Sequence, residues 1–279
     1  MSFTDIFRIF RSACAVRISR GHVLANISIL VFAALLVNIE VTRAENPPGL
    51  SPGDKHQNVL TVGKKQIPLP PGSWEVVTYA DKLTFTTNGS PIGKIASVAL
   101  ARRQNGKVTM AIYLRTNLEQ ISANGWVRNR VICDRKNVHF NDSDRNYNTA
   151  ESECWQINHN VNVYRYTDSN VFRQQWSNLQ RTEFGSTTAV TPEFWVNDQY
   201  DMLLLRYYLL PVRHGYKRSN DLKWKSSEWH PEAIREAPDK QRFIGAAKAF
   251  GEKIFPFVKK GFENDLSGYS ANLDFIFQK

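Results

Sequence analysis

The stretch KIASVALARRQNGKVTMAIYLR, residues 94–115, predicts the architecture of this 279-residue chain. Apolar residues alternate on both sides of Asn105 and Gly106, a pair that favours a tight type I′ turn between antiparallel strands. This alternation indicates one buried and one hydrated face. The apolar residues are Ile95, Val98 and Leu100 before the turn and Val108, Met110, Ile112 and Leu114 after it.

Segments outside this hairpin extend the same pattern. Residues 74–79 and 126–133 are typical of strands, and residues 202–210 are almost entirely apolar, as expected of a central strand. After Pro238, apolar residues recur every three or four positions, which predicts an amphipathic helix. We therefore predict an α+β fold, with a largely antiparallel sheet and helices on one face, including this C-terminal helix.

Residues 1–44 are typical of an export signal. Four arginines precede the uncharged, mostly apolar run at residues 23–39, and small residues follow it. We expect cleavage between Ala44 and Glu45 and a periplasmic or secreted product. Alternatively, residues 23–39 remain as an uncleaved anchor and hold the protein at the membrane, facing the periplasm.

The rest of the chain is interpreted as a linker and one domain. Residues 45–57 are rich in Pro, Gly and polar residues, which favours a flexible linker. Residues 58–279 have enough apolar material for a single α+β domain. The sequence contains no internal repeat.

The positive charge belongs to the predicted mature protein as well as to the signal. The whole chain carries a net charge of +10, and +7 remains after residue 44, with 31 basic and 24 acidic residues. This surplus favours an anionic envelope component or a protein partner. Basic and aromatic residues also alternate at 216–225, as in single-strand nucleic-acid binders. In an exported protein we expect no nucleic acid, and a solvated linker is the alternative for this segment.

Cysteine usage agrees with export. Cys14 lies in the predicted signal, which leaves Cys133 and Cys154 as the pair in the mature chain. An even number of cysteines in an oxidising compartment predicts one structural disulfide.

One polar segment has the spacing of a calcium-binding loop. Asp142, Asp144, Asn146 and Glu153 occupy ligand positions of an EF-hand, but Tyr147 stands where the sharp turn needs glycine. The alternative is a solvated loop closed by the disulfide. We expect no metal and no cofactor.

Catalytic motifs are absent from the sequence. It contains neither a Gly-x-Ser-x-Gly elbow nor closely spaced histidine ligands for zinc. The leading hypothesis is a noncatalytic binding domain with a basic surface. The alternative is a periplasmic hydrolase whose site is assembled from distant residues. No catalytic residue can be assigned.

Two segments carry a resemblance. Residues 69–74, LPPGSW, and residues 229–231, WHP, which precede a helix ending at Gly261 and Phe262, resemble a family of exported proteobacterial proteins with no assigned activity. The resemblance implies a bacterial periplasm and transfers no functional residue.

Overall fold

The domain is described by a computed structural model. It covers residues 50–85, 88–120, 126, 129–143, 151–161, 170–186, 188–221, 223–270 and 272–277. All of these belong to one compact unit, Gly49–Lys279. The predicted cleavage site at Ala44 and Glu45 lies outside this part of the chain. No helix among the described residues is long and apolar enough to cross a membrane.

The described strands are β1 (Lys55–His56), β2 (Val59–Val62), β3 (Lys65–Pro68), β4 (Trp74–Phe85), β5 (Pro91–Gln104), β6 (Lys107–Gln120), β7 (Phe140–Ser143), β8 (Ser152–Val161), β9 (Thr188–Asn197) and β10 (Met202–Leu209). Eight of them form an antiparallel sheet in the order β1-β4-β5-β6-β10-β9-β8-β7. The separate hairpin pairs β2 with β3.

The described helices are α1 (Arg130–Cys133), α2 (Asn170–Leu179) and α3 (Pro238–Phe262). A π-helical turn, Gln180–Phe184, continues α2, and short 3₁₀ turns occupy Pro211–His214, Trp224–Ser226 and Ala233–Glu236. Together with the sheet, these helices confirm the predicted α+β class.

The hairpin predicted at residues 94–115 is confirmed as β5 and β6. Asn105 and Gly106 connect the strands with φ values of 51° and 72°, the left-handed conformation that a type I′ turn requires at both positions. Val98 lies opposite Leu114 in the register. Both side chains are fully buried, as expected of the core face. The prediction of a hydrated opposite face is wrong, because Ala99, Ala101 and Ala111 are also buried there, in a second core cluster.

Helix α3 covers one face of the sheet, which confirms the predicted amphipathic C-terminal helix. Phe250 contacts Tyr207 with ring centroids 5.3 Å apart, and Phe255 stacks on Phe194 at 5.6 Å. Burial of each such side chain contributes roughly 1.5–3 kcal/mol. The long helix is therefore held to the sheet by apolar contacts along its length.

The helical cover extends to the second face, beyond the one face that the sequence predicted. There Phe172 and Trp176 of α2 contact Tyr113 and Tyr208, with ring centroids 5.9 and 5.4 Å apart. Strand β9 is buried at all ten positions. A central strand buried on both sides needs cover on both sides, and α1 and α2 supply it on this face.

Two local expectations differ from the structure. In the segment 126–133, predicted to be a strand, residues 130–133 form the helical turn α1, because the Asn129 side chain accepts a hydrogen bond from the Val131 amide at 3.1 Å. The folded part also begins before residue 58. Leu50 is buried in the core, and β1 pairs with the start of β4.

The predicted disulfide between Cys133 and Cys154 is present, with Cα atoms 5.3 Å apart. Both cysteines are buried. The bond fastens α1 to β8, and the two cysteines are 21 residues apart in sequence. On the chain-entropy account, a loop of that size stabilises the folded state by roughly 3 kcal/mol.

Two glycines in α3 should respond in opposite ways to alanine. A Cβ at Gly251 would lie 2.2 Å from a ring carbon of Trp155, whereas a Cβ at Gly245 would meet nothing within 4 Å. Gly251→Ala should lower the free energy of unfolding by about 1–3 kcal/mol. Gly245→Ala should raise it by about 0.5–1 kcal/mol because alanine favours the helix. Urea denaturation checks both, and equal effects would contradict this packing.

Candidate functional site

A row of polar side chains crosses the second face of the sheet. Tyr113 of β6 lies opposite Arg206 of β10, Arg206 lies opposite Glu193 of β9, and Glu193 lies opposite Gln156 of β8. Side chains of directly opposed residues in antiparallel strands share a face. The register alone therefore brings these four groups, from distant parts of the chain, into one line.

The carboxylate of Glu193 lies at the centre of this row and is nearly buried, with its side chain 3% exposed. It accepts hydrogen bonds from the Gln156 side-chain amide at 2.5 Å and from the Asn160 side-chain amide at 3.1 Å. Nε of Arg206 lies 3.4 Å from its Oε1 atom. Because a buried polar group is stable only with partners, these contacts fix the position of the Glu193 carboxylate.

Arg206 is the cationic member of the row. Burial opposes its charge, but Glu193, with smaller contributions from Tyr208 and Tyr113, outweighs that effect and raises the pKa of the guanidinium. The guanidinium carbon lies 5.7 Å from the centre of the Tyr113 ring. Arg206 thus keeps its charge beside the ring of Tyr113.

A pocket of ≈ 240 Å³ opens beside this row, and we call it the arginine pocket. Its described lining includes three guanidinium groups and one carboxylate, so positive charge exceeds negative charge among these residues. Its lining residues are Tyr113, Arg115, Asn129, Val131, Arg135, Asn160, Glu193, Leu204 and Arg206.

Several contacts fix the walls of the arginine pocket. Asn129 caps α1 through its side chain, and the disulfide at Cys133 fastens the same helical turn to β8. The Asn141 side chain donates to the Ile132 carbonyl at 2.8 Å. On the other side, Phe172 of α2 packs edge-on against Tyr113. The pocket is therefore preformed rather than dependent on one mobile wall.

Three histidines lie near the pocket and form what we call the histidine cluster: His139, His159 and His230. The ring of His159 lies 5.7 Å from that of His139 and 5.9 Å from that of His230. Trp224 stacks on His159 at 5.0 Å and meets His230 edge-on at 4.5 Å. In the described part of the chain, no group of three His, Cys, Asp or Glu side chains is placed so that it could hold a metal ion, and this applies to the histidine cluster too.

Burial sets the protonation of two of these histidines. It lowers the pKa of His139 to about 4, although a hydrogen bond to the Trp229 backbone acts in the opposite direction. Repulsion from His230 lowers the pKa further. Burial lowers the pKa of His159 to about 3, although a hydrogen bond to the Trp224 backbone acts in the opposite direction. Repulsion from the other two histidines and from Arg135 lowers the pKa further. Both rings are consequently neutral near pH 7.

The residues of the predicted calcium loop lie on two strands where the structure describes them. Asp142 is in β7 and Glu153 is in β8, and Nζ of Lys259 lies 3.2 Å from a Glu153 oxygen. Asp144 and Asn146 lie outside the described residues. Glu153 is thus paired with a lysine from α3.

The aromatic residues of the basic segment 216–225 are packed against the fold. Tyr216 is buried and donates a hydrogen bond to the Asp239 carbonyl at 2.6 Å. The indole of Trp224 donates to the Asn158 side chain and to the His159 carbonyl, both at 3.1 Å. These rings are occupied by contacts within the protein.

A larger cleft, of ≈ 800 Å³, lies at the C-terminal end of α3. Its charged groups are of both signs and do not converge on one ligand charge. They are Glu151, Glu153, Asp198, Glu263, Lys259 and Lys260. We therefore favour the arginine pocket as the candidate site.

Sequence reasoning missed the arginine pocket, although two signals pointed to it. Arg206 is the one charged residue in the apolar strand β10, and Glu193 is the one charged residue in β9. A charge inside a central strand requires a partner on the same face. Only the strand order shows that these two charges partner each other.

Comparisons with known proteins assign no family. No protein-family model matches the sequence, and no curated protein matches it. The chain is similar to the crystal structure of the "putative regulator from Escherichia coli CFT073", with 12% identity over 49% of this chain and 94% of that one. The TM-score is 0.23, so this likeness carries no argument about function.

Acid should destabilise the protein through the histidine cluster. The unfolded chain takes up protons below the ordinary histidine pKa of about 6.5, whereas folded His139 and His159 resist them. The free energy of unfolding should therefore fall below about pH 6.5, by up to about 1.4 kcal/mol per pH unit for each histidine.

Urea titrations between about pH 6.5 and pH 5, where most carboxyl groups stay ionised, measure this slope. In the double variant His139→Gln/His159→Gln, the free energy of unfolding should depend less steeply on pH. The decrease in slope should correspond to about two protons fewer taken up on unfolding. An unchanged slope in the variant would contradict the protonation states described above.

Proposed function

We propose that this protein is an exported, noncatalytic binding protein that holds a small anionic group in the arginine pocket. The observation that carries the proposal is the charge balance of the pocket. Arg115, Arg135 and Arg206 line it, and Glu193, the one carboxylate among its described lining residues, is engaged by Arg206 and two amides. The guanidinium groups of the lining would attract an incoming anion.

The chemistry of the lining supports an oxygen anion. Guanidinium groups donate paired hydrogen bonds that match carboxylate, sulfate and phosphate oxygens. The volume of ≈ 240 Å³ is below the range of about 300–1,000 Å³ found for drug-sized ligands. A single anionic group, alone or at the end of an envelope component, suits this space.

Binding is favoured over hydrolysis by the residue types present. The described lining contains no serine, cysteine or histidine, and its carboxylate is tied by hydrogen bonds. Nucleophilic or acid–base catalysis needs such a group within reach of the substrate. We therefore keep the hydrolase as a hypothesis without a supporting observation.

Calorimetric titration of the purified chain with sulfate at low ionic strength tests the anion site. Sulfate should bind, and Arg115→Gln should weaken binding about ten-fold or more, because a charge-assisted hydrogen bond is lost. Arg181→Gln is the matched control, since it removes the same charge from an exposed position in the π-helical turn.

Equal weakening by the two variants would mean that the general positive charge, and not the arginine pocket, attracts the anion. Absence of sulfate binding to the unsubstituted chain would remove the proposal.

Export is the second part of the proposal. It is supported by the signal-like residues 1–44 and by the disulfide, which is consistent with an oxidising compartment. The intact mass of the protein from host-cell fractions should match a chain that begins at Glu45. Cys133 and Cys154 should resist alkylation until the protein is reduced. A full-length membrane-bound mass would indicate an anchor, and alkylation without reduction would contradict export.

A further inference from the structure

Trp224 connects the arginine pocket to the histidine cluster. Strand β7 pairs with β8 only as far as Ile157, and the turn that begins at Trp224 lies against β8 beyond that point. The Trp224 indole donates to Asn158 and to the His159 carbonyl. The Nε2 atom of His159 lies 3.1 Å from the Trp224 carbonyl, so ring and backbone of Trp224 are both pinned to β8.

Toward the pocket, Trp224 supports Arg135. The guanidinium carbon of Arg135 lies 4.7 Å from the centre of the Trp224 ring, a cation–π contact that orients this long side chain. Arg135 lines the pocket, and so does Asn160, which is close in sequence to the two β8 residues that Trp224 contacts. Loss of the Trp224 contact would therefore release one of the three pocket arginines.

On its core side, Trp224 contacts the ring of His159. The packing of His159 and of neighbouring His139 offers an added proton no acceptor among the described residues. Because His159 Nε2 faces a carbonyl, it carries the proton in the neutral ring, and Nδ1 is buried with no hydrogen-bond partner among the described residues. Nε2 of His139 is likewise buried without a partner. A proton on either atom would find no acceptor in the described part of the chain.

The charges around the cluster add to this effect. His139, His230 and Arg135 face His159 and repel a charge on it. The carboxylate near the cluster, Glu232, lies 4.0 Å from Nδ1 of His230 and is 76% exposed. It compensates little, because exposed ion pairs are weak.

We propose that Trp224 positions Arg135 in the arginine pocket and that protonation of His139 and His159 removes this support, so that the anion is held at neutral pH and released in acid. This inference rests on the proposed anion binding. It assigns to Trp224 a positioning role and to His139 and His159 a regulatory one.

The arithmetic of a population shift gives the expected size. If the turn at Trp224 opens and exposes both histidines at their ordinary pKa, the ratio of open to closed protein rises about a thousand-fold between about pH 7.5 and pH 5. Added positive charge would by itself strengthen anion binding. The two effects have opposite signs, so the direction of the pH dependence decides between them.

Sulfate titrations at about pH 7.5 and pH 5 test the inference, because sulfate keeps its charge over this range whereas histidine does not. The unsubstituted chain should lose about ten-fold or more in affinity in acid. His139→Gln/His159→Gln should bind as tightly at both values as the unsubstituted chain does near neutrality. Trp224→Leu should bind weakly at both. Tighter binding in acid, or full pH dependence in Trp224→Leu, would overturn the inference.

A ligand-free measurement separates this inference from the anion proposal. The indole N–H resonance of Trp224, identified by its absence in Trp224→Phe, should shift or broaden between about pH 7.5 and pH 5. It should stay unchanged in the double histidine variant. A constant resonance in the unsubstituted chain would refute the proposed effect of histidine protonation on Trp224, even if sulfate binds. Failure of sulfate to bind near neutrality would refute the anion site instead.

Discussion

A buried carboxylate needs compensation, and the second face of this sheet is organised around that need. Glu193 lies on an interior strand of the eight-stranded sheet, where its side chain is nearly buried and little water reaches its charge. Its partners come from both neighbouring strands, β8 and β10. These contacts favour one register, because a shift by one residue would turn the partners to the opposite face. The same register places Arg206 at the arginine pocket.

Much of the fold could be predicted from local signals. The hairpin at residues 94–115 combined strict alternation with Asn105 and Gly106, and α3 had a long apolar stripe. The pairing of Cys133 with Cys154 followed from counting. In each case the decisive information lies within one short segment or in one residue type, which a single sequence displays directly.

The remainder depends on contacts between distant segments. The segment 126–133 has strand-like composition, yet the Asn129 cap and the disulfide make residues 130–133 helical. The arginine pocket draws on β6, β8, β9, β10 and the α1 region. Its residues become neighbours only through the order β6-β10-β9-β8, which the sequence does not reveal. The histidine cluster is hidden for the same reason.

The bond between Cys133 and Cys154 also has a consequence in time. It fastens the helical turn α1, which includes Val131 and is capped by Asn129, two residues of the pocket wall. Arg135, a third, follows two residues after Cys133. Until the thiols are oxidised, noncovalent contacts such as the Asn141–Ile132 hydrogen bond must hold this wall. A newly made chain in a reducing environment would have a looser pocket wall than the disulfide-bonded protein. Oxidation would thus tighten this wall as well as stabilise the fold.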